Sequence, residues 1–281
     1  MNNLKIHFEK YRPSPQYPIY PPYHSGLYLE DYFYDWYYNN NIITDRILIP
    51  VSWTTCYIDN KIDGLQEKLN ELDKSKKYFT VCQFDDGIKE ILPPDTLQFN
   101  AGGNSGGIPI PLVCSKIPQN DIDKYKSTRK DILCSFCGSI THPIRSVMYL
   151  NFHNKQNCHI QVKNWSPSVN SDEYQDYLSI ASRSKFLLCP RGYGLNSFRL
   201  YEAFQLGCVP VVISDNIFLP WADELDWRQF SIITNSSENL HFYLEKVLTS
   251  EYNSMLAAGR NLYEDYFTLN GVCKQIVKRL I

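Results

Sequence analysis

The sequence predicts an α/β protein built from two domains, each with a parallel, doubly wound sheet. Two observations support this fold class. Short apolar runs alternate with amphipathic segments of helical length along most of the 281 residues, and this alternation is typical of βαβ units. A polar segment, Gln119–Arg129, interrupts the pattern. We therefore expect one domain over residues 1–120 and a second over residues 121–281.

The first domain has the weaker pattern. Predicted strands cover Leu4–Phe8, Arg46–Val51 and Tyr78–Phe84, and predicted helices cover Leu27–Asn39 and Ile62–Leu72. The last of these strands is rich in β-branched and aromatic residues, which favour strands, and it ends at the turn signal Asp85-Asp86-Gly87. The glycine-rich segment Ala101–Pro111 indicates a loop followed by an extended piece.

In the second domain, predicted strands and helices alternate regularly. Its predicted strands cover Asp131–Cys137, Cys158–Val162, Lys185–Cys189, Cys208–Ser214 and Phe230–Ile233, and its predicted helices cover Pro143–Phe152, Ser171–Ser182, Ser197–Leu206 and most of Ser237–Ile281. Gly207 follows the third of these helices, and a glycine at that position commonly ends a helix. Strands separated by single helices predict a parallel sheet covered on both faces.

Composition excludes several classes of protein. Lys and Arg number 28 against 30 Asp and Glu, which gives a formal net charge of −2, whereas nucleic-acid binders rely on massed positive charge. The sequence starts without an apolar run of signal-peptide length. It contains no stretch of about 20 apolar residues. We therefore expect neither a nucleic-acid partner nor a membrane span.

The cysteines and histidines do not indicate a metal site. The nine cysteines are expected to be reduced thiols in a protein that is not secreted. Cys134 and Cys137 form a C-x-x-C on a predicted strand, where residues three apart face opposite sides. Cys and His residues nowhere have the spacing of zinc ligands.

The most informative segment runs from Cys189 to Asp215. It starts at a strand end, passes through Arg191-Gly192-Tyr193-Gly194 and opens a helix at Asn196 or Ser197. Ligands of open α/β sheets bind beyond the carboxyl ends of the strands, and free N–H groups at a helix start attract phosphate. Both Asn196 and Ser197 are good N-caps, and either could instead hydrogen-bond a phosphate oxygen.

Two charged residues on this helix suggest a nucleotide. Arg199 lies in the first turn, where the helix dipole disfavours a cation, so its position is better explained if an anion binds there. Glu202 lies on the same face three residues later, and a carboxylate can accept hydrogen bonds from both hydroxyls of a ribose. The alternative is an Arg199–Glu202 ion pair on a solvated helix.

At these residues the sequence resembles the donor-binding half of exostosin-like glycosyltransferases. The shared elements are Cys189-Pro190-Arg191-Gly192, Ser197-Phe198-Arg199-Leu200-Tyr201-Glu202, Gly207-Cys208-Val209-Pro210-Val211, Ser214-Asp215, Leu219-Pro220 and Asp226-Trp227. A second patch, Phe136-Cys137-Gly138 with Arg145 on the following helix, is similar to the family's Phe-x-Gly element and its downstream Arg. Similarity upstream is looser, in Pro21–Phe33 and Gln83–Gly87.

The resemblance implies a GT-B fold, in which two Rossmann-like domains face a cleft. It also implies an inverting transferase that needs no bound metal and no cofactor, with a UDP-sugar as donor substrate and an oligosaccharide or glycan as acceptor. Many eukaryotic members carry a membrane anchor, which this sequence lacks. A cytoplasmic setting, in a bacterium or a virus-infected cell, is therefore expected.

The resemblance also assigns roles to residues of the donor site. Glu202 would hold the ribose, while Arg145, Arg191, Ser197 and Arg199 would stabilise the diphosphate. Gly192, Tyr193 and Asn196 belong to the same donor-binding segment. The aromatic run Tyr32–Tyr38 suits stacking on an acceptor sugar, and core packing is its alternative.

Inversion requires a general base near the acceptor hydroxyl, and the sequence leaves its identity open. Asp85 and Asp86 end a strand, where loop residues can face the cleft, but they also suit a simple turn before Gly87. Glu30, with Asp31 and His24, is the rival group. A capping role at a helix start explains Glu30 equally well.

Other functions are also compatible with the sequence. A retaining GT-B transferase would bind its donor in the same way, and a carbohydrate-binding protein could keep the fold without turnover. A metal-dependent GT-A enzyme would need an Asp-x-Asp after an apolar strand, whereas Asp121-Ile122-Asp123 follows a polar linker. Among donor sugars, xylose is weakly preferred because the chain is short, and glucuronate comes next because of Arg191.

Overall fold

The computed structural model describes residues 2–13, 28–113, 116–166 and 169–281, so His24 lies outside the described residues. The helices are α1 (Asn2–His7), α2 (Leu29–Asn39), α3 (Trp53–Ile58), α4 (Leu65–Asn70), α5 (Gln119–Tyr125), α6 (Pro143–Phe152), α7 (Ser171–Arg183), α8 (Phe198–Gln205), α9 (Leu240–Ser250), α10 (Tyr252–Leu262) and α11 (Leu269–Lys278). The strands are β1 (Ile47–Leu48), β2 (Tyr78–Cys82), β3 (Leu97–Asn100), β4 (Ile108–Pro109), β5 (Ile132–Gly138), β6 (Cys158–Val162), β7 (Ser184–Pro190), β8 (Val209–Ile213) and β9 (Ile232–Thr234).

The C-terminal sheet is parallel throughout and has the order β6-β5-β7-β8-β9. From β5 the chain first moves to β6 on one side and then crosses back to β7 on the other side. The winding therefore reverses between β5 and β7, which is the doubly wound order. Loops that leave the strands on either side of such a reversal diverge, and the crevice between them is where ligands bind.

The residues of β7 alternate between two cores. Leu187 and Cys189 face the cluster that includes α7, α8 and α11, while Phe186 and Leu188 face the cluster that includes α6 and α9. All four side chains are buried, as expected for a strand in the middle of a sheet covered on both faces. The predicted two-sided covering of this sheet is thereby confirmed.

The N-terminal sheet is also parallel, and its four strands lie in chain order, β1-β2-β3-β4. Within the described residues this order contains no reversal. Helix α2 covers the sheet, with the Phe33 ring packed edge-on against Phe79 at 6.0 Å between centroids. Phe33 and Tyr37 are buried in this core, which confirms the core-packing alternative for these two aromatic residues.

The two halves meet through the carboxyl ends of their sheets. The Asn196 side chain, after β7, donates to the carbonyl oxygens of Ala101 (3.1 Å) and Ile110 (3.3 Å), which follow β3 and β4. A second contact joins α11 to the N-terminal half. The Asn270 side chain on α11 accepts a hydrogen bond from the Trp36 indole on α2 at 2.9 Å. Two parallel α/β halves whose strand ends face each other are the predicted GT-B arrangement.

Some local predictions were wrong. Leu4–Phe8 was expected to be a strand, but residues Asn2–His7 form α1. Strand β3, which pairs with a neighbouring strand on each side in the N-terminal sheet, was not predicted. The polar segment at the predicted boundary contains α5. In the part of the chain that the structure describes, no helix has the length and apolar character needed to cross a membrane.

Candidate functional site

Arg145 lies at the switch point because α6 starts directly after the β5 loop. His142 caps this helix by accepting the Ile144 N–H, and Pro143 fills its first turn. The Arg145 side chain is buried. Its guanidinium donates to three backbone carbonyls, those of Arg191 (2.9 Å), Ser139 (2.8 Å) and Pro190 (3.2 Å). It therefore ties the loop after β5 to the loop after β7.

Arg199 reaches the same place from the first turn of α8. Its Nε atom donates to the Cys137 carbonyl at the end of β5 at 2.9 Å, and its Nη2 atom contacts the same oxygen. The neighbouring Gly138 makes this approach possible, since a Cβ at that position would lie 2.4 Å from Arg199 Nη2. The glycine of the Phe-x-Gly element thus leaves room for the guanidinium.

The two guanidinium groups share one aromatic ring. Phe136 lies 5.6 Å from Arg145 Cζ and 5.0 Å from Arg199 Cζ. Among the described residues, neither arginine forms a salt bridge with a carboxylate. Burial and then the Arg199 charge lower the pKa of Arg145. Two neighbouring positive charges without a partner predict that an anion binds here.

Ser197 adds a polar group to this site. It is the N-cap of α8 by backbone geometry, yet its side chain makes no capping hydrogen bond. The residue is 6% exposed, and its Oγ atom is buried without a hydrogen-bond partner in the described part of the chain. A buried hydroxyl at the positive end of a helix suits a phosphate oxygen.

Asn196, the other predicted cap, has a structural role. Besides its two bonds to the N-terminal half, its Oδ1 atom accepts from the Ser197 N–H at 2.9 Å and the Tyr201 hydroxyl at 3.0 Å. It is buried. Asn196 thus fixes the start of α8 against the opposite sheet and leaves the Ser197 hydroxyl available.

Glu202 is not paired with Arg199, contrary to the alternative of a solvated ion pair. One of its oxygens, Oε2, accepts a hydrogen bond from the Tyr177 hydroxyl on α7. Burial and the Glu202 charge raise the pKa of Tyr177, so the phenol stays protonated and donates. The Tyr177 bond holds the carboxylate in one orientation, which suits the predicted contact with ribose hydroxyls.

Arg191, Gly192 and Tyr193 form the loop after β7. Arg191 pairs with Asp215 at 2.9 Å and donates to the Tyr193 carbonyl at 2.7 Å, so its charge is largely neutralised. Gly192 lies against Arg145, since a Cβ there would be 2.9 Å from Arg145 Nη2. Tyr193 is 59% exposed, and its hydroxyl donates to Asp86 in the opposite half at 3.1 Å.

Asp85 and Asp86 both lie at the cleft, but their surroundings differ. Asp86 accepts hydrogen bonds from Tyr193 and from the Asn104 amide, the latter at 3.1 Å. The Asp85 carboxylate lies against Gly194 of the C-terminal half, where a Cβ would be 2.3 Å from Asp85 Oδ1. Burial and then Asp86 raise the pKa of Asp85 to about 6, while Arg191 lowers it.

Glu30 occupies a buried position where α2, α3 and the end of β2 meet. Its two oxygens accept from the Thr54 N–H, the Thr54 hydroxyl (3.0 Å) and the Gln83 N–H (2.6 Å). Asp31 accepts from the Ser52 hydroxyl. Burial and Asp31 raise the pKa of Glu30 to about 8. Glu30 therefore caps the start of α3, and not the start of its own helix α2, which is the capping role that the sequence suggested.

Sequence reasoning did not find Tyr177 or Asn104. Tyr177 lies on α7 beside apolar positions with helical spacing, so nothing in the pattern separates it from core tyrosines. Asn104 lies in a glycine-rich loop.

The Asp-x-Asp residues are on α5, where the Asp121 carboxylate accepts a hydrogen bond from the Gln175 amide at 2.9 Å and the Asp123 carboxylate accepts one from the Gln119 amide at 3.0 Å.

Comparison with protein families identifies one match. The family model described as Exostosin GT47 domain matches residues 95–248, which include β3 to β9 and all of the residues predicted for the donor site. The match begins upstream of the predicted domain boundary, so it extends into the loops of the N-terminal half that reach the cleft.

Curated proteins with similar sequences match less than half of this chain. A probable glycosyltransferase of Arabidopsis thaliana is 35% identical over 128 residues, 45% of this chain and 24% of the relative. The exostosin-1 homolog of Caenorhabditis elegans is 35% identical over 115 residues, 40% and 30% of the two chains. A probable glucuronoxylan glucuronosyltransferase of Arabidopsis thaliana is 39% identical over 101 residues, 35% and 21%. The match therefore spans less than a third of each relative.

Proposed function

This chain belongs to the exostosin GT47 family, and on that premise we propose that it is a metal-independent glycosyltransferase. It transfers a sugar from a UDP-sugar to a hydroxyl group of a glycan acceptor, and it inverts the anomeric centre. The observation that carries the proposal is a pair of guanidinium groups, Arg145 and Arg199, on the two sides of the switch point. Neither has a carboxylate partner in the part of the chain that the structure describes.

These arginines suit the chemistry of the leaving group. When the bond between the sugar and the diphosphate breaks, negative charge grows on the diphosphate, and positive groups already in place stabilise the transition state. Arg145 is held rigidly by three carbonyls, and Arg199 by Cys137. Ser197 and the start of α8 complete the site for the phosphate oxygens. Two fixed cations can supply the charge that a metal ion supplies in other transferases.

The same geometry supports the remaining donor contacts that we propose. Glu202, oriented by Tyr177, binds the ribose hydroxyls. Xylose remains the first donor sugar to test. Glucuronate is second, since its carboxylate would need a free cation, and Arg191 is already paired with Asp215.

UDP binding tests the donor site directly. In the presence of EDTA, calorimetric titration is expected to give a dissociation constant in the micromolar range. Replacing Glu202 with alanine should weaken UDP binding by about tenfold or more, because the loss of hydrogen bonds to a charged group costs about 1.5–3 kcal/mol. The fold should be unchanged, as judged by circular dichroism.

Glu238→Ala is the matched control, because it removes an exposed carboxylate from the same half. It should leave UDP binding unchanged. Equal UDP affinity in the wild type and in Glu202→Ala would exclude Glu202 from the site. A wild type without any UDP affinity would instead favour a carbohydrate-binding protein that does not use this donor.

A further inference from the structure

The cleft brings one acidic side chain of the N-terminal half into direct contact with the donor loop. Asp85 follows β2, and its backbone and side chain are packed between two glycines. A Cβ at Gly194 would lie 2.3 Å from Asp85 Oδ1, and a Cβ at Gly102 would lie 2.2 Å from Asp85 Cα. Both glycines are needed for this approach. The Asp85 carboxylate is therefore fixed against the loop that follows β7.

Asp85 also differs from the other acidic candidates in its hydrogen bonds. Asp86 is engaged by Tyr193 and Asn104, and both oxygens of Glu30 are engaged by α3 and by the end of β2. The Asp85 carboxylate accepts no hydrogen bond from any residue that the structure describes. It therefore retains its capacity to bind a hydroxyl of a substrate.

The Asp85 carboxylate lies close to the proposed diphosphate site. Gly192 contacts the Arg145 guanidinium, and Gly194 contacts Asp85. Because consecutive Cα atoms are about 3.8 Å apart, these two glycines are separated by at most about 7.6 Å. A phosphate bound beside Gly192 would thus place its sugar within reach of Asp85.

The charged and titratable groups that face Asp85 are Asp86, Arg191, Tyr193 and Cys82. Burial and Asp86 raise its pKa to about 6, and Arg191 opposes them. A carboxylate with this pKa is ionised at neutral pH, and it is more basic than an exposed aspartate. These are the properties of an efficient general base.

We propose that Asp85 is the general base of the transfer, an assignment that rests on the proposed function. Its carboxylate accepts the proton of the acceptor hydroxyl as that oxygen forms a bond to the anomeric carbon. The bond between this carbon and the phosphate oxygen breaks in the same step, and its electron pair leaves with UDP. Asp86, Asn104 and Tyr193 hold the loop that positions Asp85.

The test compares Asp85→Asn with the wild type in sugar transfer and in UDP binding. Asparagine has nearly the same shape, so the contact with Gly194 is kept while the base is lost. Turnover is expected to fall by about 10²- to 10⁴-fold, with UDP affinity within about twofold of the wild type. Wild-type kcat/KM should rise with pH through about 6 and then level off, and the variant should lack this rise.

Asp95→Asn is the matched control, because it changes an exposed aspartate in the same half at a backbone position with φ of 57°, which asparagine adopts readily. Its activity should equal that of the wild type. Turnover of Asp85→Asn within tenfold of the wild type, or an unchanged pH profile, would overturn the assignment. A wild type that transfers no sugar would reject the proposed function, and the base assignment with it.

Discussion

Replacing Arg199 with alanine is expected to slow sugar transfer by about 10²- to 10³-fold. In the proposed reaction the Arg199 guanidinium faces a diphosphate whose charge grows, so it should contribute more to the transition state than to the bound donor. UDP affinity should therefore fall much less than turnover. Steady-state kinetics with saturating donor, together with UDP titration, measure the two effects separately.

Arg183→Ala provides the matched control for this prediction. Arg183 also lies in the C-terminal half, but it forms a surface pair with Asp131 in which both side chains are 44% exposed. Its loss should leave turnover and UDP affinity unchanged. If Arg199→Ala lowered UDP affinity and turnover by the same factor, Arg199 would only anchor the donor phosphate in the ground state.

Replacing Arg145 with alanine is expected to destabilise the protein as well as to abolish donor binding. Arg145 is buried and donates to the carbonyls of Ser139, Pro190 and Arg191, which would lose their donor. We expect the free energy of unfolding to fall by about 2–4 kcal/mol. Urea denaturation measures this change, and UDP titration at low temperature measures binding to the protein that remains folded.

Arg183→Ala again provides the comparison, since an exposed ion pair contributes less than about 1 kcal/mol. The two variants should therefore differ clearly in their urea midpoints. Normal stability of Arg145→Ala, combined with lost UDP binding, would show that Arg145 binds the donor without holding the loops together. Normal UDP binding would remove Arg145 from the donor site.

The fold of the C-terminal half could be predicted from its sequence because each element there has a clear local signal. The predicted ranges Pro143–Phe152 and Cys158–Val162 coincide with α6 and β6. The helices and strands of the N-terminal half were harder to predict. In Leu4–Phe8 apolar and polar residues alternate over only five positions, which is too short a segment to separate a strand from a helix. Strand β3 follows a proline pair and mixes polar with apolar residues.

The geometry of the candidate donor site could be predicted in part. The sequence predicts Arg145, Arg199 and Glu202 as donor-site residues, and the structure brings both arginines close to the Phe136 ring. Their lack of carboxylate partners in the described residues could not be read from the sequence, since it depends on which side chains meet in space. The local motif likewise could not show that Asn196 joins the two halves or that Arg191 pairs with Asp215.

The sequence could not separate the three base candidates for the same reason. Asp85 and Asp86 are adjacent in one turn, yet Asp86 is engaged by Tyr193 and Asn104 whereas Asp85 lies against Gly194. This difference arises from the packing of the two sheets against each other. The contacts of Glu30 could not be predicted either, because its partners Thr54 and Gln83 are distant in sequence.

The release of UDP from a panel of UDP-sugars, measured with a glycan acceptor and with EDTA, tests the central claim most directly. We expect release from one sugar, at a rate that EDTA does not reduce. Because we propose that Arg145 and Arg199 supply the positive charge at the diphosphate, no added metal should be needed. Release that stops with EDTA and returns with Mn²⁺, or no release from any sugar in the panel, would contradict a metal-independent UDP-sugar transferase.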